Sequence, residues 1–402
     1  MGTRFARADV RVIHLSLTDF RNYESAELDL VPGPNLFVGS NGQGKTNLVE
    51  ALGYLSTLGS HRVSVDHAMI RSGMDAAIIR ARLEHNERSV LAEVQLNRTG
   101  ANRAQVNRSA IKTRELPRYF SSVLFAPEDL ALVRGEPSGR RKFLDELLIL
   151  RTPRMSGVIA DYERVLKQRN SLLKSARASG VRGTQLSTLD IWDDRLVALG
   201  SEIIEARGAL IEELSPEVAI AYGAIAGAEH SASLASYLSI LSKSADDAGP
   251  SDADTAVRSD RMTTEQVADE FRIALERLRR SELDRGITLV GPHRDDLVLT
   301  LNDLPARGYA SHGESWSFAL ALKLASAAVL RRESAAGDPV LILDDVFAEL
   351  DESRRARLAH AVDGFEQVLI TAAVRGDVPD QLAAHVVNIS EGHIVVPGEE
   401  TA

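Results

Sequence analysis

The sequence predicts an α/β fold with a long helical insertion, and three observations lead to this prediction. A short apolar run, Asn35 to Val38, enters a glycine-rich turn, and apolar residues at helical spacing follow from Asn47 to Leu58. A second apolar run, Val340 to Leu343, has the character of a buried strand. From Arg140 to about Leu214 the pattern changes to long helical segments. We therefore expect a helical hairpin inserted into an α/β domain.

The remaining elements follow from local periodicity and turn residues. Alternating apolar and polar residues make the beginning of the chain rich in strands, and strands return after the helical insertion. Thr263 or Thr264 is a plausible cap for a third helix of the insertion. The predicted strands are Val12 to Phe20, Ala26 to Leu30, Ala76 to Leu83, Val90 to Asn97, Ser121 to Phe125, Ile287 to Val290, Leu297 to Leu301 and Gln367 to Thr371, and the later helices are Thr264 to Leu283 and Trp316 to Arg332.

Composition limits the class of protein. The chain has 402 residues, 44% of them hydrophobic, with no cysteine and a net charge of −10. This excludes disulfides and cysteine zinc sites, and the length suggests two or three domains. No run of 18 uncharged apolar residues occurs, and Met1 to Arg11 is charged, so we expect a soluble cytoplasmic protein without a membrane span. Ser244 to Asp260 is rich in Ser, Asp, Ala and Gly and indicates a flexible loop.

Positive charge is concentrated in two stretches of this acidic chain. Between Arg80 and Arg118 there are nine Arg or Lys residues against four Glu, and between Arg134 and Arg182 twelve against five acids. Such stretches could neutralise DNA phosphates without reading bases, although a solvated helix face is an equally ordinary explanation for any one residue. The candidate DNA-binding residues are Arg103, Arg108, Lys112, Arg140, Arg141 and Lys142.

The turn after the first apolar run fits the phosphate-binding loop pattern G-x-x-x-x-G-K-[ST]. Its glycines let backbone N–H groups face phosphate oxygens at a helix N-terminus, Lys45 supplies a cation, and Thr46 offers an oxygen to Mg²⁺. The alternative, an ordinary turn, is disfavoured by the flanking strand and helix. The predicted nucleotide-binding residues here are Gly39, Ser40, Asn41, Gly42, Gln43, Gly44, Lys45 and Thr46.

Two carboxylates end the apolar strand that begins at Val340. In a phosphate-binding-loop site, such a strand holds the metal, so we expect Asp344 to bind Mg²⁺ and Asp345 to orient the attacking water, with Lys45 as the second catalytic residue. The alternative is a strand that simply ends in a solvated acidic turn. Arg21, which follows a predicted strand, is placed to approach the nucleotide base or DNA.

Five further blocks are distinctive in sequence and order: Asp19 to Tyr23, Gly39 to Leu48, Pro127 to Leu130 with Arg140 to Asp145, Leu289 to Asp296, and Leu343 to Asp351. These blocks resemble the RecF family of bacterial recombinational-repair ATPases, in the family's order and over nearly the whole chain. The resemblance implies an ABC-type ATPase head, related to SMC-like repair ATPases, with a helical second lobe. We accordingly expect a head in residues 1–126 and 287–402 and an inserted arm in 127–286.

The resemblance also assigns roles to residues near the C-terminal strands. Ser311 to Glu314 corresponds to the ABC signature, so that Ser311 and Gly313 would bind the γ-phosphate of a nucleotide held by a second copy. Glu314 departs from the family, in which glutamine is commoner there. Glu349 to Asp351 resembles the D-loop that crosses the dimer seam, and Thr371 resembles the switch residue that senses the γ-phosphate.

The function implied by the resemblance is that of an ATP-dependent DNA clamp. Two copies would close on ATP and Mg²⁺, bind gapped, single-stranded or duplex DNA without sequence preference, and hydrolyse ATP slowly in a DNA-dependent way. RecR and RecO would be partners in loading recombinase, with roles in replication restart and SOS induction. The alternatives are the ATPase subunit of a membrane transporter, another SMC-like structural ATPase, and a small-molecule kinase. The long insertion argues against the transporter, and a kinase would carry a lid and no signature-like helix.

Overall fold

A computed structural model describes residues 10–85, 88–179, 187–227, 230–242, 261–333 and 337–395. The chain divides into two compact units. The first comprises Met1–Leu130, Ile220–Glu229 and His312–Ala402, and the second comprises Ala131–Ala219 and His230–Ser311. The second unit therefore runs to Ser311, whereas the sequence placed the end of the inserted arm at residue 286. The candidate break near Ala178 to Gly183 and the candidate loop Ser244 to Asp260 fall largely outside the described residues.

An antiparallel sheet forms the N-terminal part of the first unit. Its strand order is β2-β1-β4-β5-β6-β7, and neighbouring strands pair antiparallel throughout. Alternate residues of β1, such as Leu15 and Leu17, are buried, as the period-two pattern predicts. The bounds are β1 Val10–Phe20, β2 Tyr23–Asp29, β4 Ala76–His85, β5 Arg88–Asn97, β6 Arg103–Val106 and β7 Ser109–Ile111.

A second, mostly parallel sheet carries the strands expected to position the site. Its order is β15-β14-β3-β13-β12-β8, and only β15 pairs antiparallel. The two sheets and helix α1 share one core, in which Leu17, Leu52 and Ile342 are fully buried. The bounds are β3 Gly33–Val38, β8 Ser122–Phe125, β12 Val340–Asp344, β13 Gln367–Ala372, β14 His385–Ser390 and β15 His393–Val395, with helices α1 Lys45–Thr57, α8 His312–Glu333 and α9 Glu352–Val362.

The second unit is mainly helical, with a small antiparallel sheet of order β11-β10-β9. Helix α6 begins at a capping box in which Thr263 Oγ1 accepts from Gln266 N and the Gln266 side chain accepts from Thr263 N. The bounds are α2 Leu130–Arg134, α3 Pro137–Arg151, α4 Met155–Ser179, α5 Ser187–Ala226, α6 Thr264–Arg285 and α7 Ala306–Tyr309, with β9 Ala232–Tyr237, β10 Asp296–Leu301 and β11 Leu304–Pro305; α5 ends in the first unit.

Most predicted elements are confirmed, but the strand expected at Ile287 to Val290 is wrong. This segment is irregular because side chains take the place of a neighbouring strand. Asn170 Oδ1 accepts from the backbone N–H of Thr288, and Glu282 Oε1 accepts from that of Leu289, each at 2.8 Å. Within the described ranges, no helix is long and apolar enough to cross a membrane.

Candidate nucleotide-binding site

The predicted phosphate-binding loop lies between β3 and α1, as the sequence indicated. Two of its glycines are required by close backbone approach. A Cβ at Gly39 would collide with the carbonyl oxygen of Ile389 in β14. Gly44 has φ +113, and a Cβ there would lie 2.7 Å from the Tyr23 hydroxyl. The glycine pattern is therefore a packing requirement of this turn as well as a phosphate-binding pattern.

Side chains and backbone from two other segments hold the loop in shape. Tyr23 Oη donates to the carbonyl of Gly44 at 3.1 Å, and Asn22 Nδ2 donates to the carbonyl of Gln43 at 3.2 Å. From the turn after β14, Gly392 N donates to the same Gln43 carbonyl, and Glu391 N donates to the Gln43 side chain. The loop thus has its shape before any phosphate binds, which lowers the entropy cost of binding.

Lys45 begins α1 and folds back over the loop. Its Nζ donates to the carbonyls of Gly39 at 2.5 Å and Ser40 at 3.1 Å, and the residue is only 5% exposed. Burial lowers the pKa of the ammonium group, while the nearby charges of Asp345 and Asp344 act in the opposite direction. A cation held over loop carbonyls with two carboxylates close by is suited to receive a phosphate.

The predicted metal ligands Thr46 and Asp344 lie in direct contact. Thr46 Oγ1 donates to Asp344 Oδ1 at 2.9 Å, although the two residues are 298 positions apart. Thr371 Oγ1, at the end of β13, donates to the same carboxylate oxygen at 2.6 Å. A hydroxyl and a carboxylate side by side are hard ligands of the kind Mg²⁺ takes. The residues present therefore fit this ion.

Asp345 occupies a strained position directly after β12. Its φ is +53, a left-handed conformation that residues other than glycine adopt rarely, and its backbone N donates to Thr371 Oγ1 at 2.9 Å. Burial raises the pKa of this carboxyl group, while Lys45 opposes the rise. Its Oδ1 is buried and has no hydrogen-bond partner among the described residues. Such an unsatisfied acceptor beside a phosphate-binding loop is consistent with a group that orients water.

One side chain at this site, His61, was not identified from the sequence. His61 Nε2 lies 3.8 Å from Asp344 Oδ2 and is buried without a hydrogen-bond partner in the described part of the chain. Thr371 links the Asp344 carboxylate to the backbone of Asp345, and its role in sensing phosphate stays a prediction. The sequence gives no signal for His61, because it comes from an irregular segment after α1.

An open cavity of about 850 Å³ lies beside Asn47 and is lined by arginines and asparagines. Arg21, which lines it, is held by Glu50: its Nε and Nη2 donate to the two carboxylate oxygens at 2.9 and 2.6 Å. Arg62 donates to Asn47 Oδ1 at 2.8 Å. The cavity therefore has fixed polar walls next to the phosphate-binding loop.

Ser311 and Gly313 lie at the start of α8, where the signature was predicted. Ser311 is exposed and is the last residue of the second unit, while Gly313 lies in the first turn of the helix. A Cβ at Gly313 would collide with the guanidinium group of Arg354 in α9. Asp351 caps α9, since its Oδ1 accepts from Arg354 N at 2.8 Å. Contact of this surface with a second copy stays a prediction.

The candidate DNA-binding residues separate into two groups. Arg103, Arg108 and Lys112 are exposed around the β6–β7 hairpin, and Lys142 is exposed on α3, where it lies 3.6 Å from Glu146. Arg141 is half-buried and donates to the carbonyl of Asp295 at 2.8 Å. This arrangement leaves four of the six side chains exposed.

The sixth, Arg140, requires a correction. It is 4% exposed, and its Nε and Nη2 donate to the two carboxylate oxygens of Asp296 at 2.8 and 2.7 Å. Its Nη1 donates to the carbonyls of Leu132 and Gly135. Four of the five guanidinium N–H groups are used within the protein and the side chain is buried, so the prediction that Arg140 contacts DNA is wrong.

Comparison with known proteins gives consistent likenesses. The family described as the RecF/RecN/SMC N terminal domain matches residues 11–391. The DNA replication and repair protein RecF of Clavibacter sepedonicus is 67% identical over 388 residues, covering 96% of this chain and 94% of the relative. That identity extends through both units.

Solved structures give the same result. A structure of the recombination mediator protein RecF with ATP in the RecFOR pathway has a TM-score of 0.85 and 27% identity, covering 98% of this chain and 99% of that one. An Smc head bound to the C-winged helix domain of ScpA, at 14% identity and a TM-score of 0.52, shares the fold alone. These likenesses favour a repair protein over a transporter ATPase. The fold is an α/β ABC-type ATPase head with a second helical lobe, and the chain belongs to the RecF family of DNA replication and repair proteins.

Proposed function

We propose that this chain is an ATP-dependent DNA clamp of recombinational repair, in which two copies close on two ATP molecules. The observation that carries the proposal is the convergence of the Thr46 and Thr371 hydroxyls on Asp344 Oδ1 beside the buried ammonium group of Lys45. The similar RecF structure contains ATP, which supports the same nucleotide here. Residues Gly39 to Thr46 would surround the phosphates through backbone N–H groups.

The chemistry of each side chain follows from its position. Lys45 would move its Nζ from the loop carbonyls to the β- and γ-phosphates. Thr46 and Asp344 would hold Mg²⁺, which when bound neutralises charge on the phosphates. Asp345, with its unsatisfied carboxylate oxygen, would orient the attacking water and accept its proton, and the raised pKa favours that role.

The cavity beside Asn47 is suited to the base and ribose of the nucleotide. It adjoins the residue that follows Thr46, so a nucleotide with its phosphates on the loop would extend towards it. The Arg21–Glu50 pair would form a fixed wall of this cavity rather than a free cation for DNA. Polar walls held by internal hydrogen bonds give orientation at little entropic cost.

Dimer closure would complete the site. Ser311 and Gly313, with the N-terminus of α8, would bind the γ-phosphate held by the other copy. ATP then acts as a switch, because the closed dimer is stabilised only by the nucleotide that carries a γ-phosphate. Slow hydrolysis, stimulated by DNA, would reopen the dimer.

DNA binding in this proposal rests on exposed cations of each unit taken separately: Arg103, Arg108 and Lys112 in the first unit, and Lys142 in the second. Binding of this type neutralises phosphates and is independent of sequence. In the bacterial cytoplasm the clamp would act at gapped or single-stranded DNA with RecR and RecO, help to load recombinase, and support replication restart and SOS induction. The RecFOR pathway named for the structural relative supports these partners.

A titration of DNA at several salt concentrations, with and without ATP, tests this proposal. Wild-type protein should bind gapped and duplex DNA more tightly with ATP. Neutralising Arg103, Arg108 and Lys112 together should lower the log–log salt slope by about 2.7 if all three contact duplex phosphates. Arg272→Gln, which changes an exposed cation of α6, serves as the control. An unchanged slope in the triple variant would remove the β6–β7 surface from the proposal.

A further inference from the structure

The start of α8 and the segment that leads into α9 are joined by two contacts within the first unit. The guanidinium group of Arg354 lies directly against Gly313, since no Cβ could be added to that glycine without meeting Arg354 Nη1. His312 Nε2 lies 3.9 Å from Glu349 Oε2, and Trp316 Nε1 donates to His312 at 3.0 Å. The signature and the D-loop segment thus form one contiguous surface.

Arg354 is held by contacts of its backbone and of its side chain. Its backbone N–H donates to the capping carboxylate of Asp351, and its Nε lies 3.6 Å from the other oxygen of that carboxylate. Its far end rests on Gly313. The side chain is 26% exposed, so the guanidinium group is partly removed from solvent. Arg354 therefore links the N-terminus of α9 to the first turn of α8.

The negative charge of Glu314 has opposite effects on helix α8 and on an anion bound at its N-terminus. A carboxylate in the first turn of a helix is favourable for the helix, because it faces the positive end of the dipole. The same carboxylate would repel an anion that binds at that helix end. A nearby cation is needed if the surface is to accept a γ-phosphate.

The charges of Arg354 and Glu314 both influence the hydroxyl of Tyr222. Its ring is buried against Phe318 of α8, with centroids 5.8 Å apart. Its hydroxyl has no hydrogen-bond partner among the described residues. Burial is the main cause that raises the pKa of this hydroxyl to about 12; the charge of Glu314 adds to the rise, and that of Arg354 opposes it. The two charges therefore lie near one buried group and oppose each other there.

We propose that Arg354 is a positioning residue of the composite ATP site: it fixes the first turn of α8 against the D-loop segment and offsets the charge of Glu314. The absence of a side chain at Gly313 then lets the guanidinium group lie against the first turn of α8. The inference rests on the proposed function, since the γ-phosphate in question belongs to a second copy. It assigns no contact between Arg354 and the nucleotide.

A double-mutant cycle with Arg354→Ala, Glu314→Gln and the double variant tests the pairing without nucleotide. Melting temperatures should be non-additive, with Arg354→Ala costing less in the Glu314→Gln background, because the carboxylate that needs the cation is gone. Arg357→Ala is the matched control: it lies one turn along α9, where its Nη1 donates to the carbonyl of Ile225 instead. Its effect should be the same in both backgrounds. Additive losses for Arg354→Ala would overturn the inference.

Sedimentation with ATP tests the consequence. Arg354→Ala should bind ATP as a single head like wild type but dimerise roughly five- to tenfold more weakly. Arg354→Lys, which keeps the charge, should lose less, and Glu314→Gln should restore most of the dimerisation to Arg354→Ala. Normal dimerisation of Arg354→Ala, or no restoration by Glu314→Gln, would overturn the inference. A wild-type chain that stays monomeric with ATP would instead overturn the proposed function, while the melting cycle still decides the pairing.

Discussion

The loop from Gly39 to Thr46 and the start of α8 both place small polar residues ahead of a helix, but they differ in what surrounds them. The loop is held by its own unit: Tyr23, the β14–β15 turn and Asp344 contact it, and Lys45 at its end is buried. Ser311, at the start of α8, is exposed, and the groups that contact the first turn of α8 belong to the D-loop segment and α9. The phosphate-binding loop has its contacts within one chain and can therefore bind nucleotide in a single copy. The exposed start of α8 would bind a nucleotide only when a second copy brings one to it.

We expect the largest effect, on ATP affinity, from a change in the phosphate-binding loop. Lys45→Ala should reduce ATP affinity by more than roughly 100-fold, because the bound phosphates would lose their ammonium partner, and truncating one partner of a buried charge pair across a binding site costs about 2–5 kcal/mol. Equilibrium binding of a fluorescent ATP analogue measures it. Lys142→Ala, which removes an exposed lysine of α3, should bind as wild type does. Equal affinities in the two variants would contradict the assignment of the loop.

Asp345→Asn should separate binding from hydrolysis at the same site. ATP should still bind, since Thr46 and Asp344 remain, but hydrolysis should fall by about 100-fold or more because the water loses its base. Phosphate release and light scattering together measure this, and the dimer should accumulate. Hydrolysis at the wild-type rate would show that the buried Asp345 oxygen has another purpose.

A smaller effect is expected at Thr371, which contacts the Asp344 carboxylate and the backbone of Asp345. Thr371→Val keeps the shape but removes the hydroxyl that donates to Asp344 and accepts from Asp345 N. Mg²⁺-dependent ATP affinity should fall by about tenfold, the usual cost of losing a group that orients a metal ligand. Titrations at several Mg²⁺ concentrations check it. Thr57→Val, at the far end of α1, is the control, and an equal response of both variants would argue against the metal site.

The same contrast explains what the sequence could predict. Strand, loop and helix around Gly39 to Lys45 are adjacent in the chain, so local pattern and glycine spacing were sufficient. Thr46 and Asp344 were both assigned to one Mg²⁺ site, so they were expected to lie near each other although 298 positions separate them. The need of one Mg²⁺ ion for several ligands predicted this long-range proximity, which hydrophobic periodicity cannot predict.

Other features depend on distant partners that no local pattern reveals. Arg140 looks like any cation of a basic run, yet Asp296, 156 positions later, makes it a buried structural residue. Ile287 to Val290 has the composition of a strand, but the side chains of Asn170 and Glu282 take its backbone donors. The irregular segment after α1 brings His61 close to Asp344, and no local pattern predicts the course of that segment.

Mixing two complementary variants tests the central claim of a composite site most directly. In the Asp345→Asn background, which slows hydrolysis, Lys45→Ala lacks a working loop but keeps its signature, while Ser311→Arg binds ATP but has its signature blocked by a long cation. Each alone should sediment as a monomer with ATP. Their equimolar mixture should form a dimer, because one intact site combines the loop of one chain with Ser311 of the other. A mixture that stays monomeric, while the Asp345→Asn chain alone dimerises, would contradict the account.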